Sequence, residues 1–103
     1  MSDEAEEESG SSRLVAAIGT VPTEGGGRID VAITAWTPAK MGKVTPKEGL
    51  PAIRVTRFTP SSGKKAVDGF RPKACSSFKS AAEAEGVAKL LAKAGPALAK
   101  ALA

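Results

Sequence analysis

The sequence lacks histidine, tyrosine, asparagine and glutamine altogether, and it has a single cysteine, Cys75. Without histidine, the chain is missing the commonest general base and the commonest metal ligand. One cysteine can neither close an internal disulfide nor build a thiolate metal cluster, and it fits a reducing compartment. We therefore expect a protein that is not an enzyme and that uses no metal or other cofactor, with Cys75 structural or incidental.

Long apolar runs are also missing. No stretch approaches the ~20 apolar residues that cross a bilayer, and the chain begins with acidic residues rather than a secretory signal. We expect an intracellular protein with no membrane partner. Its length of 103 residues permits one domain, and a chain this short buries a modest fraction of its surface, which favours self-association.

Charge divides the chain into two parts. Residues 1–12 carry five acids and no bases, so we expect a disordered acidic tail ahead of a single domain at 13–103. Residues 13–80 carry 12 bases against four acids, a net charge of +8. The tail could lie over this basic body and compete with a polyanionic partner.

β-Branched residues concentrate before residue 60, and Ala, Leu and Lys dominate after residue 80. This distribution predicts an α+β fold in which a four-stranded antiparallel sheet precedes a C-terminal helix (ββββα). Turn residues bound the predicted strands, which lie at about 13–21, 28–37, 52–59 and 65–71.

The predicted helix covers about 80–94. Ser80 and Glu83 have the spacing of a capping box, and Gly95-Pro96 should end or kink the helix, with 97–103 suited to a second helical segment. Apolar residues at helical spacing predict a stripe that forms the core or a dimer seam: Val87, Leu90, Leu91, Ala94 and Leu98.

Alternation along the second and third predicted strands separates two faces of the sheet. The aliphatic face should meet the helix, which leaves Trp36 and Phe58 on the other face beside Arg54 and Thr56. Aromatic rings among cations form a stacking platform for single-stranded nucleic acid. The alternative, equally open, is a second partial core covered by the 38–51 loop or a partner subunit.

Basic residues in the loops could neutralise a nucleic-acid backbone. The candidates are Lys40, Lys43, Lys64, Lys65, Arg71 and Lys73. The absence of Asn and Gln leaves the chain poorly equipped to recognise adenine edges in duplex DNA, so we expect single strands and low sequence specificity.

The order of these elements resembles the positive-cofactor-four family of transcriptional coactivators that bind single-stranded DNA, and its short bacterial and phage members most. The similar segments are LVAAIGTV (14–21), RIDVAITAW (28–36), PAIRVTRFTP (51–60) and GKKAVDGF (63–70). The acidic front resembles the tail of eukaryotic members. The resemblance covers about 14–94.

The resemblance implies a homodimer that binds single-stranded nucleic acid along a basic sheet face, with DNA favoured over RNA, in transcription, replication or recombination. It implies contacts from Trp36, Arg54, Arg57, Phe58, Lys64 and Lys65. Arg57 alternates with the aliphatic face, so a twist or bulge is needed to turn it outward. The location would be the nucleus in a eukaryote, or the cytoplasm in a bacterium or infected cell.

Two other functions remain open. Trp36 and Phe58 could dock a partner chain, which would make the domain a protein-interaction module. A small enzyme could instead use carboxylates such as Asp30 and Asp68, although nothing in the sequence places those two together.

Overall fold

The computed structural model describes residues 10–64 and 66–103. Four strands form one antiparallel sheet in the order β1-β2-β3-β4, and a single helix, α1, follows them. The elements are β1 (Ser11–Pro22), β2 (Arg28–Thr37), β3 (Ala52–Pro60), β4 (Phe70–Ala74) and α1 (Ala81–Leu102). The predicted α+β class and the ββββα order are confirmed.

The first strand begins at Ser11, so the predicted tail boundary at residue 12 is two residues too late. Most of the predicted tail, residues 1–9, lies outside the described residues. The glycine-rich connection to β2 is confirmed as a turn, in which Gly25 and Gly26 have φ of 79° and 87°. Glycine reaches this left-handed region without the penalty that a Cβ imposes.

Strand β4 is not where the sequence placed it. Val67 and Phe70 exchange both backbone hydrogen bonds of a two-residue hairpin, at 2.6 and 3.0 Å. Asp68 and Gly69 occupy its corner with φ of 54° and 84°. Because both corner residues have positive φ, Asp-Gly is the favoured pair there. The prediction of a strand over 65–71 is therefore wrong, since the chain turns within it and pairs with β3 only from Phe70.

The helix starts as predicted, where the Ser80 hydroxyl accepts a hydrogen bond from the Glu83 amide at 3.2 Å. The returning contact differs from a standard capping box, because the Glu83 carboxylate accepts from the amide of Lys79 at 3.0 Å. The predicted end of the helix before Gly95-Pro96 is wrong. Helix α1 continues through Pro96 to Leu102 as one element, so 97–103 is not a separate segment.

The core lies between α1 and one face of the sheet. Ile29, Val31, Ile33 and Ala35 of β2 are fully buried, as their alternation predicted. Ile29 and Val31 pack with Val87 and Ala94 of α1. The helix crosses β1 closely, since a Cβ on Gly86 would lie 3.0 Å from Val21. This contact explains a glycine in a helix interior, where it weakens helix propensity.

The predicted helix stripe is only partly core. Val87 and Ala94 are buried and Leu90 packs against them, whereas Leu91 is 39% exposed. In the part of the chain that the structure describes, no helix combines the length and the apolar character needed to span a membrane.

Candidate nucleic-acid interface

The sheet face turned away from α1, called here the outer face, contains the predicted aromatic residues. On β2 it consists of Arg28, Asp30, Ala32, Thr34 and Trp36, which alternate with the buried core residues. Unbroken pairing of β2 with β3 adds the residues opposite them, Phe58, Thr56, Arg54 and Ala52. The sequence prediction that Trp36, Phe58, Arg54 and Thr56 share a face is thus confirmed.

Trp36 is half exposed at the end of β2, so neither the core nor the 38–51 loop seals it. Its backbone carbonyl accepts a hydrogen bond from the amide of Gly49 at 2.7 Å, which fixes the loop beside it. The indole leans over Gly10, where a Cβ would overlap the ring. Trp36 therefore offers an accessible ring on a fixed strand.

Phe58 has a different environment from Trp36. The guanidinium carbon of Arg28 lies 4.2 Å from the centroid of the Phe58 ring and 4.8 Å from that of Phe70. These are cation–π distances. Because Arg28 covers one face of the ring, Phe58 supports a cation, whereas Trp36 remains the accessible stacking surface. The sequence analysis missed Arg28, although the strand alternation already placed it on this face.

Trp36 and Arg28 lie at opposite ends of the outer face. They are eight residues apart on β2, which corresponds to about 26 Å along the strand. Arg54 pairs with Ala32, midway between them, and is exposed. The exposed Lys40 and Lys43 follow β2 beyond Trp36, and the exposed Lys64 follows β3 beyond Arg28. Arg54 and Arg28 thus form, with Trp36, a basic track along the outer face. Lys40, Lys43 and Lys64 lie in the loops that follow the two strands, and Lys65 lies outside the described residues.

Arg57 belongs to the opposite face. The β2–β3 pairing contains no bulge at Arg57, so the expected outward turn is wrong. Its Nη2 lies 2.8 Å from Glu83 Oε1 and also donates to the carbonyl of Ser77 at 3.1 Å. Hydrogen bonding to Arg57 holds the pKa of Glu83 below its usual value. Arg57 therefore joins β3 to the start of α1 and is not part of the track.

Arg71 also lies apart from the outer face. It pairs with Thr59, which lies on the same side of the sheet as Arg57, the side that faces the helix. The prediction that Arg71 joins Trp36 and Phe58 in one binding surface is therefore wrong. The same holds for Lys73, which pairs with Arg57. Because the chain turns at Asp68-Gly69, β4 starts at Phe70, and this register pairs Arg71 and Lys73 with residues on the helix side of β3.

The groove at the start of α1 contains Arg57, Lys79 and Glu83 among its lining residues. The Glu83 carboxylate already accepts hydrogen bonds from Arg57 and from the Lys79 amide there. Cys75 donates to the carbonyl of Ser77 at 3.3 Å, a structural contact. Within the described ranges, no three His, Cys, Asp or Glu residues cluster so as to hold a metal.

The two carboxylates considered for catalysis have separate environments. Asp30 accepts hydrogen bonds from Thr20 at 2.9 Å and from Arg28 at 3.2 Å, whereas Asp68 sits in the β3–β4 hairpin corner. No family model, curated protein or solved structure matches the chain.

Proposed function

We propose that this protein binds single-stranded nucleic acid along the outer face without sequence specificity, and that it is not an enzyme. The observation that carries the proposal is Trp36, half exposed at one end of a strand face that also presents Arg54 and Arg28. A ring of this kind stacks a base of any sequence, while the cations neutralise phosphates. The resemblance to the positive-cofactor-four family favours single-stranded DNA over RNA.

Single-stranded DNA of this kind arises in transcription, replication and recombination, and the resemblance suggests a role in one of them. The protein would then act in the nucleus of a eukaryote, or in the cytoplasm of a bacterium or phage-infected cell. The excess of 12 bases over four acids at 13–80 supports a polyanionic partner in either case.

A titration with oligo-dT tests the proposal, because Trp36 is the only tryptophan and its fluorescence reports on this face alone. Stacking should quench the emission, and added salt should weaken the binding. Duplex DNA and oligo-U of equal length should bind more weakly. Unchanged fluorescence at low salt with every nucleic acid would refute the proposal.

Two exposed arginines on neighbouring strands provide a matched pair of variants. Arg54→Ala removes a cation from the outer face, and Arg71→Ala removes one from the other side of the sheet. Arg54→Ala should weaken binding and lower the slope of log K against log salt by about 0.7, the value for one phosphate of a single strand. Arg71→Ala should leave that slope unchanged. Equal effects of the two variants would argue against a contact confined to the outer face.

A protein-interaction module is the second candidate function. Apolar side chains are exposed at the Trp36 end of the sheet and in the adjoining loop, among them Leu14 (60%), Met41 (79%) and Leu50 (80%). Burial of such side chains drives protein association. A flat oligo-dT titration, combined with loss of a partner chain on Trp36→Ala, would favour this function.

We also propose that the protein is a homodimer, as the resemblance implies. Leu91 and Leu102 lie three helical turns apart on α1 and are 39% and 50% exposed, which supports an apolar contact between copies. Sedimentation equilibrium should give twice the chain mass, and Leu91→Glu should give the monomer mass. A monomer at every concentration of the unchanged protein would refute this proposal.

A further inference from the structure

Arg28 is held in one position by three side chains. Its Nε lies 3.2 Å from both carboxylate oxygens of Asp30, and its guanidinium carbon lies over Phe58 and Phe70. Thr20 in turn donates to Asp30 at 2.9 Å, which fixes the carboxylate. The conformational entropy of this long side chain is therefore already lost before any ligand arrives.

The terminal nitrogens of Arg28 remain available. Both of its hydrogen bonds use Nε, and no described residue accepts from Nη1 or Nη2. The Arg28 side chain is 36% exposed to solvent. A guanidinium presents its N–H groups as a planar fork that matches two oxygens of one phosphate.

We propose that Arg28 is a second binding residue of the basic track, in addition to Trp36, and that it binds a backbone phosphate through Nη1 and Nη2. This inference rests on the proposed function and adds to it a defined length. Trp36 and Arg28 are separated by about 26 Å along β2. At ~3.4 Å for each stacked nucleotide, a single strand needs about eight nucleotides to reach both residues, and even at about twice that rise the three steps of dT4 cover only about 20 Å.

The length dependence separates this contact from a purely structural role of Arg28. Trp36 fluorescence reports only molecules bound at the Trp36 end, so dT4 and dT12 are titrated into the same proteins. Arg28→Lys retains the charge but loses the fork, and should weaken dT12 binding about five- to tenfold while leaving dT4 binding unchanged. Arg13→Lys is the control, since Arg13 is also paired with a carboxylate, Glu48, but points away from the outer face.

A second variant keeps the inference testable if Arg28→Lys fails to fold. Asp30→Asn retains a hydrogen-bond acceptor and removes the charge that competes with a phosphate for Arg28. It should tighten dT12 binding about threefold and leave dT4 binding unchanged.

Each other result has a distinct meaning. Equal weakening of dT4 and dT12 by Arg28→Lys would show that Arg28 acts through the fold, and unchanged binding of both would show that it makes no contact. Either result overturns the inference and leaves the proposed function intact. No quenching of the unchanged protein by either oligonucleotide would overturn the proposed function itself.

Discussion

Arg57 Nη2 lies 2.8 Å from Glu83 Oε1, and this ion pair connects the third strand to the first turn of the helix. Their side chains are 15% and 7% exposed. Glu83 also accepts from the Lys79 amide, so one carboxylate serves the strand and the helix start together. The helix is thereby fixed against the face of the sheet that does not carry Trp36.

Glu83→Gln should lower the midpoint of thermal unfolding by several degrees, because Arg57 would lose its counter-charge in a shielded position. Glu85→Gln, the same change at an exposed position of the same helix, should leave the midpoint nearly unchanged.

The folded-state pKa of Glu83 lies below its reference value of 4.5, so its stabilising effect is present above pH 4.5 and lost as the pH falls through the folded pKa. The difference between the unchanged protein and Glu83→Gln should therefore shrink in acid. A constant difference down to pH 2 would contradict this assignment.

Gly69→Ala should destabilise the fold by about 1 kcal/mol, since φ at this position is 84° and a Cβ is strained in the left-handed region. Gly63→Ala in the same connection is the control, because its Cβ would meet only the Ser61 hydroxyl at an ordinary 3.5 Å. Urea unfolding of both variants measures the difference. Equal midpoints would mean that the Asp68-Gly69 corner is not formed as described.

Gly10→Val should move the Trp36 ring, because a side chain at residue 10 would occupy the space of the indole. The emission maximum of Trp36 should shift, and oligo-dT affinity should fall by roughly three- to tenfold if stacking depends on this ring position. Gly63→Val is the matched control on a distant loop. A shifted emission with unchanged affinity would show that the ring position does not matter for binding.

Removal of residues 1–9 should tighten oligo-dT binding at low salt. These residues carry all five acids of the acidic front, and the chain enters β1 at Ser11, next to the strand position paired with Trp36. The truncation leaves β1 intact, whereas removal of residues 1–12 would cut into it. Replacement of the five acids by Ser in the full chain should have the same effect, and the gain should vanish at high salt. Equal affinities at low salt would exclude competition by the tail.

The sequence alone determined the order of the elements, the exact bounds of β2 and the division of its side chains between two faces. These features are local. The alternation of Ile29, Val31 and Ile33 and the capping position of Ser80 can each be recognised from neighbouring residues alone. The Asp68-Gly69 pair is also a local pattern, typical of a two-residue hairpin. The sequence analysis did not use it, and so it predicted β4 too early in the chain.

The tertiary structure decided what each charged residue does. Arg28, Arg54 and Arg57 have the same chemistry, but pairing across strands places Arg28 over two phenylalanine rings, Arg54 in solvent and Arg57 against Glu83. The partners of Arg28 and Arg57 include residues distant in sequence, and strand register together with helix docking fixes which of them come within reach. The helix also continues through Pro96 to Leu102, although the local Gly95-Pro96 signal favours a stop.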